Sequence, residues 1–481
     1  MNVDDLQWQK AHLGGVLPRF VDEILARGGL ETLVEAARER EDWFCAVGAV
    51  RGLCAAGQFE RAWTVVEPFA AAGWQPAVRT GADVLVRWNR VEQALELAHP
   101  GERGQESAEA WRDYAEALVR AGRADEAIDV LSPYLRQGRV LRSLVEMTDG
   151  QGCDERVLEV LAPLAEGFRH SQGQRGTRDR REVPPAPTGH LWEWEALPAQ
   201  ARVLERSGRV DEAIRLLGAD VAARRYGPEN TVEFYVELLA RQGRVEELRD
   251  LATGSRKTAA ASPYLKVLEN LGRAEEAEAY LRDCMAGEHP GWSESILMDL
   301  LIRQGRFDDA IEAVGHTFDE LYDGNLLQAA LILLAEQGRP DLAIGLTEGR
   351  SPEFLAENET YWLRSNRWWL MGEAGRAREA IAQVEALPAD EVDDRELTIA
   401  WLLAQDGRVE EAIALLRPLP GRSAANDLAE LLIRQDRLAE AVAVIPDVAA
   451  QRREQEMERE KAASGSVGGW GGASPVEDSS T

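Results

Sequence analysis

The sequence predicts an all-α fold, a stack of about a dozen helix-turn-helix repeats. Three observations predict it. One phrase recurs, as LVRAGRADEAIDVL, LIRQGRFDDAIEAV and LAEQGRPDLAIGL. Its glycine position is filled by Gly28, Gly57, Asn89, Gly122, Gly152, Gly208, Gly243, Gly272, Gly305, Gly338, Gly375, Gly407 and Asp436. Successive markers lie 29 to 37 residues apart, with one gap of 56 that reads as one period plus an insertion. A fixed period of this size signals stacked supersecondary units. Finally, apolar residues recur at helical spacing on both sides of each marker. Around Gly305 these are Ile296, Leu297, Leu300 and Leu301, then Ala310, Ile311 and Val314.

The elements follow in chain order. Residues 1–27 are expected to form N-terminal capping helices, and repeats begin at Gly28 and run to 166. Residues 167–190, GFRHSQGQRGTRDRREVPPAPTGH, lack apolar periodicity and are rich in Gly, Pro and Arg. They read as a basic, disordered insertion. Repeats resume over 191–446. Residues 447–481 read as a charged helix, QRREQEMEREK, followed by a disordered tail that holds Trp470.

Within each repeat the marker can end the first helix in the left-handed conformation, free of a Cβ penalty when it is Gly. Asn89 and Asp436 are tolerated substitutes. Acids such as Asp308 and Asp309 fall in the first turn of the second helix, at its positive end. An alanine recurs at one phase of that helix: Ala62, Ala94, Ala127, Ala213, Ala277, Ala310, Ala343, Ala380, Ala412 and Ala441. A small side chain at a fixed phase predicts a close helix crossing.

Composition narrows the function classes. The 481 residues are 45% hydrophobic and 29% charged, with a formal net charge of −29. Such acidity repels phosphate backbones and anionic lipid and suits basic or neutral partners. Only Lys10, Lys257, Lys266 and Lys461 are lysine; the other basic residues are Arg, a bias from which a GC-rich, bacterial genome is expected. Cys45, Cys54, Cys153 and Cys284 form no CxxC pair, so free thiols are expected and no metal site. No apolar signal core opens the chain, and the apolar run near Leu326–Ala335 is too short to span a bilayer. The expectation is a cytoplasmic protein with no membrane partner.

The stretch Ala108–Leu131 resembles a tetratricopeptide repeat (TPR). Trp111 stands at its fourth position, Tyr114 at the seventh, Ala115 at the eighth, Leu118 at the eleventh, Gly122 at the turn and Ala127 at the twentieth. The unit from Trp194 is similar, with Leu197, Ala201, Leu204, Gly208 and Ala213. Other units keep the turn and the second alanine but place Val236, Leu265, Met298, Leu331 or Trp368 at the eighth position. The resemblance covers roughly residues 28–446. It implies a right-handed α-α superhelical solenoid whose first helices line a concave groove, and it implies protein or peptide binding rather than chemistry.

Nothing in the sequence points to catalysis or to a cofactor. There is no HExxH, no Gly-rich loop ending in GK[ST] and no GxSxG elbow. The six histidines are scattered, and the paired acids recur in many units where a catalytic pair would be unique. The groove phase implied by the resemblance, the ninth position, reads Arg51, Asp83, Glu116, Arg202, Glu237, Lys266, Asp299, Ile332, Trp369, Trp401 and Glu430. That mixed row lacks the positive track RNA reading needs, so no nucleic-acid partner is expected. Trp362, Trp369 and Trp401, with Arg202 and Lys266, are the candidate partner-binding residues, because aromatic and arginine anchors dominate interfaces. Packing between helices is the competing use of the tryptophans. Arg87, Arg120, Arg206, Arg241, Arg303 and Arg434, two residues before the markers, complement the helix dipole or form a row for an acidic partner. The reading is a non-enzymatic scaffold that binds a protein or peptide. The alternative is a ligand- or peptide-responsive regulator that relays a conformational change to a separate effector.

Overall fold

Thirteen left-handed residues set the architecture. A computed structural model describes residues 1–101, 107–136, 139–175, 191–223, 229–254, 256–286, 291–318, 324–348, 350–358, 362–388 and 391–466. Among these the chain is α-helical, with short turns and no strand. Every predicted marker has a positive φ, from 57° at Asp436 to 81° at Gly28. Around Gly305 the amide of Arg306 donates to the carbonyl of Leu301 at 2.9 Å, and the amide of Gly305 donates to that of Ile302 at 2.9 Å. This pair of bonds is the Schellman termination, which satisfies the last carbonyls of the first helix and turns the chain. The same two bonds recur at Gly122, Gly208, Gly338 and Asp436.

The helices run α1 (Val3–His12), α2 (Pro18–Ala26), α3 (Leu30–Arg40), α4 (Trp43–Ala55), α5 (Phe59–Ala71) and α6 (Gln75–Arg87). Next come α7 (Val91–Ala98), α8 (Ala108–Arg120), α9 (Ala124–Leu131), α10 (Val140–Met147) and α11 (Asp154–Arg175). They continue as α12 (Leu191–Arg206), α13 (Val210–Ala223), α14 (Glu229–Arg241), α15 (Val245–Thr253), α16 (Lys257–Asn270) and α17 (Ala274–Met285). Then follow α18 (Gly291–Arg303), α19 (Phe307–Val314), α20 (Gly324–Glu336), α21 (Pro340–Thr347) and α22 (Pro352–Asn358). The series ends with α23 (Arg364–Glu373), α24 (Ala377–Ala386), α25 (Arg395–Gln405), α26 (Val409–Leu416), α27 (Arg422–Arg434), α28 (Leu438–Val444) and α29 (Val448–Ser466). We call the helix before each marker the A helix and the one after it the B helix. The expected insertion overlaps the end of α11, and residues 176–190 lie outside the described residues, as does the tail with Trp470.

Packing divides the chain into two compact units. One joins Met1–Trp88 to Arg364–Thr481; the other is Asn89–Leu363. Within each unit, partners in a helix pair pack against each other and neighbouring A helices lie side by side, as α12 does with α14 and α23 with α25. All ten recurrent alanines of the B helices are buried, none more than 1% exposed. The bulky residues at the eighth position of the A helices, Val236, Leu265, Met298, Leu331 and Trp368, are buried too. Each pair therefore closes on an alanine from one side and a variable side chain from the other.

The arginine after the marker has a job that the sequence did not announce. It pairs with the acid three residues later, in the first turn of the B helix. Arg209–Glu212 stands at 2.7 Å, Arg306–Asp309 at 2.6 Å, Arg408–Glu411 at 2.6 Å and Arg437–Glu440 at 2.7 Å. The same arginines reach back to the preceding B helix, as in Arg306–Glu278 at 2.5 Å and Arg437–Glu410 at 3.4 Å. Arg306 holds the Glu278 carboxyl below the usual carboxylate range. One side chain thus locks a turn and also ties one repeat to the next.

The first unit is closed by contacts between the two ends of the chain. Helix α2 packs on α27, α3 on α28 and α1 on α29. Arg40 donates to the carbonyls of Val442 and Ile445, capping the end of α28. Arg27 pairs with Asp436 at 2.8 Å and Arg452 with Asp5 at 2.8 Å. A buried polar knot lies beneath them. Asp42 accepts from the amides of Val16 (2.9 Å) and Cys45 (3.0 Å), and Gln9 accepts from the amide of Trp43 (3.0 Å). Gln451 accepts from the amide of Gly15 (3.2 Å) and donates to the carbonyl of Pro446 (2.9 Å). Burial pushes the Asp42 carboxyl up, against the amides that favour its charge. The pair α2–α3 thus takes the place that a further repeat after α28 would occupy.

Ala310 is 1% exposed at the crossing of α18 and α19. Ala310→Leu is expected to overpack that crossing and destabilise the protein by about 1–3 kcal/mol. Chemical denaturation measures it, and an unchanged midpoint would refute the close crossing.

Candidate binding face

The ninth position of each A helix lies on the face where neighbouring A helices adjoin. In five repeats an acid there is paired with the arginine one turn later. Asp83–Arg87 stands at 2.9 Å, Glu116–Arg120 at 2.6 Å, Glu237–Arg241 at 3.7 Å, Asp299–Arg303 at 2.8 Å and Glu430–Arg434 at 2.6 Å. Two of these arginines also bridge to the previous A helix, Arg241 to Glu205 at 2.8 Å and Arg303 to Glu269 at 2.9 Å. Arg206 turns instead to Asp154 at 2.8 Å. The arginines before the markers are therefore engaged within the protein, and the face they line is largely self-neutralised. The acid–arginine spacing of four residues was present in the sequence as a signal, since i,i+4 pairs share one helix face.

Six repeats differ at the ninth position. One carries Arg51, which pairs with Asp22 of the preceding A helix; the others carry Arg202, Lys266, Ile332, Trp369 and Trp401. Arg202 is half-buried and makes no ion pair among the described residues. Its guanidinium lies over the Phe234 ring of α14, 4.3 Å from the centroid. Burial lowers its pKa from the ordinary value, and Arg142 alongside lowers it further. Lys266 is exposed on α16, without an ion pair among the described residues. Ile332 is 40% exposed on α20.

The tryptophans separate into different environments. Trp368 is buried and donates from Nε1 to Gln383 of the facing B helix at 3.3 Å, so it packs inside the pair. Trp369, the next residue, is half-buried on the A-helix face. Trp401 is half-buried on α25 and lies across Gly372 of α23: a Cβ at Gly372 would fall 2.5 Å from the indole. Trp369 and Trp401 belong to the first unit. Trp362 belongs to the second, where it is half-buried, donates from Nε1 to Asn358 at 2.7 Å and meets Phe354 edge-on at 6.3 Å.

Among the described residues no group of His, Cys, Asp and Glu could hold a metal ion, and the four cysteines are free thiols. No described helix is long and apolar enough to cross a membrane.

No protein-family model matches the chain, and no curated protein matches it. Among solved structures it is similar to Naa15/Naa10 bound to HypK-THB, at 15% identity, over 83% of this chain and 67% of that one, with a TM-score of 0.35. It is also similar to the maize pentatricopeptide repeat protein PPR10, at 14% identity over 88% and 66%, with a TM-score of 0.31. For the APC/C hetero-tetramer Cut9–Hcn1 the identity is 13%, the coverage 90% and 95%, and the TM-score 0.23. At these TM-scores the likenesses say nothing of what this chain binds.

Gly372→Ala is expected to push the Trp401 indole off α23 and destabilise the first unit by about 1–3 kcal/mol. Denaturant unfolding and near-ultraviolet circular dichroism report the two effects. A wild-type spectrum and midpoint would show that the indole does not rest there.

Proposed function

We propose that the chain is a non-enzymatic interaction scaffold that holds a protein or peptide partner on the A-helix faces of its two units. One observation carries this reading: at the ninth position five repeats hold acid–arginine pairs and Arg51 pairs with Asp22, which leaves Arg202, Lys266, Ile332, Trp369 and Trp401 as the positions outside this self-neutralised pattern. A solvated, internally paired charge offers a partner little, because removing it from water is costly. A half-buried indole, or a guanidinium already stacked on a ring, has less to lose and more area to contribute. The exceptional positions are therefore the anchors, with Trp362 a further aromatic in the second unit. The net charge of −29 and the paired arginines leave no positive track for a nucleic-acid backbone. We place the protein in the cytoplasm, acting on its partner by binding alone.

Trp369→Ala combined with Trp401→Ala is expected to weaken partner capture at least about tenfold, the loss of a hot-spot pair. The measurement is quantitative affinity capture from native extract, with melting followed in parallel. A partner retained at wild-type level, or unfolding without loss of affinity, would refute the assignment. A captured RNA that survives the substitutions would do so as well.

A further inference from the structure

A small pocket lies in the second unit where three neighbouring A helices, α10, α12 and α14, adjoin. Helix α12 places Glu195, Pro198 and Arg202 on one side of it, at the i, i+3, i+7 spacing of a single helix face. Leu141 and Val145 of α10 and Phe234 of α14 supply the apolar walls. Two polar groups in this lining are left without a complement among the described residues. The Glu195 side chain is 14% exposed, and one of its oxygens, Oε1, accepts from Arg142 at 2.7 Å. The other, Oε2, is buried and has no donor. The Arg202 guanidinium is half-buried over the Phe234 ring and has no acceptor. The two side chains do not pair with each other. A buried acceptor without a donor is costly, and so is a desolvated cation without an acceptor. Here both open on one pocket.

Their complement is a group with a donor and an acceptor on the same edge. A carboxylate would satisfy Arg202 but meet Glu195 oxygen to oxygen. An ammonium would satisfy Glu195 but face the cations of Arg142 and Arg202. A main-chain peptide group is trans, so its N–H and C=O point in opposite directions. The pocket volume is about 10 Å³, room for one water-sized group, so an aromatic ring does not enter. A primary carboxamide meets every requirement, with its NH₂ donating to Glu195 Oε2 and its oxygen accepting from Arg202. We propose that this pocket receives the carboxamide of a Gln or Asn side chain of the partner protein. The proposal rests on the scaffold reading and adds the chemistry that the partner presents at Arg202. Water meets both groups in the free protein, and an amide that reproduces both bonds displaces it at little cost.

The test uses the full chain and three probes, N-acetylglutamine methylamide, N-acetylglutamate methylamide and uridine, titrated by saturation-transfer difference NMR. The first two share their main-chain amides and differ in the side-chain head alone. Wild type is expected to bind the glutamine probe at least about threefold more tightly than the glutamate probe. Arg202→Met keeps most of the stem, removes the donors and is expected to weaken glutamine binding about tenfold, as loss of a charged hydrogen bond does. Glu195→Gln removes the carboxylate and frees Arg142, so it is expected to reverse the order and favour glutamate. Should Arg202→Met melt early, that reversal decides the matter. Equal binding of the two amino-acid probes to wild type, no glutamine binding, or an order unchanged in Glu195→Gln would overturn the proposal. Uridine bound as tightly as glutamine would overturn it in favour of a nucleobase. Trp369 and Trp401 belong to the first unit, so the capture experiment decides the scaffold reading separately.

Discussion

Every helix pair in this chain turns on one residue with a positive φ. That residue lets the A helix finish its hydrogen bonds within two residues and start the B helix at a fixed angle. The restriction explains why glycine fills the position eleven times and Asn or Asp the other two. It also fixes where the next residues fall. The following arginine stands within reach of its own B helix and of the one before. The alanine farther along meets the A helix in the buried crossing. The turn, the core and the tie between repeats thus follow from one backbone constraint.

The repetition has a consequence for function. A device copied into every repeat cannot by itself choose a partner. Acid–arginine pairs on the A-helix face, recurring in five repeats, approach this limit. They keep a long surface solvated, and most of its charge is satisfied internally. What distinguishes one repeat from another is the residue that replaces the acid. Arg202, Trp369 and Trp401 are half-buried replacements, and two of them are held by a neighbouring A helix, Arg202 over Phe234 and Trp401 over Gly372. An anchor held in place before binding has less freedom to lose on association.

Much of this was legible in the sequence because it is periodic. The marker residues named there are the left-handed residues of the structure, and the recurrent alanines are the buried ones. The acid–arginine pairs were visible as a four-residue spacing, but the arginines were read as helix-end charges or as a row for an acidic partner. Two features were not legible. The ends of the chain meet through Arg27 on Asp436, Arg40 on Val442 and Gly15 on Gln451, and Trp8 meets Gln455. Contacts more than 400 residues apart leave no trace in a period of about 33 residues. Likewise Trp368 and Trp369 are indistinguishable in composition. Only the helix phase relative to its partner decides that one faces Gln383 and the other the A-helix face.

The central claim is that the exceptional ninth positions contact the partner and the self-paired ones do not. Site-specific photo-crosslinking in the native cell tests it most directly. A benzophenone amino acid would be placed in turn at Arg202, Lys266, Trp369 and Trp401, and at Glu237 and Asp299 of the self-paired repeats. The account predicts a discrete crosslinked species from the first four positions and little or none from the last two. Equal crosslinking from both sets, or crosslinking only from Glu237 and Asp299, would contradict it.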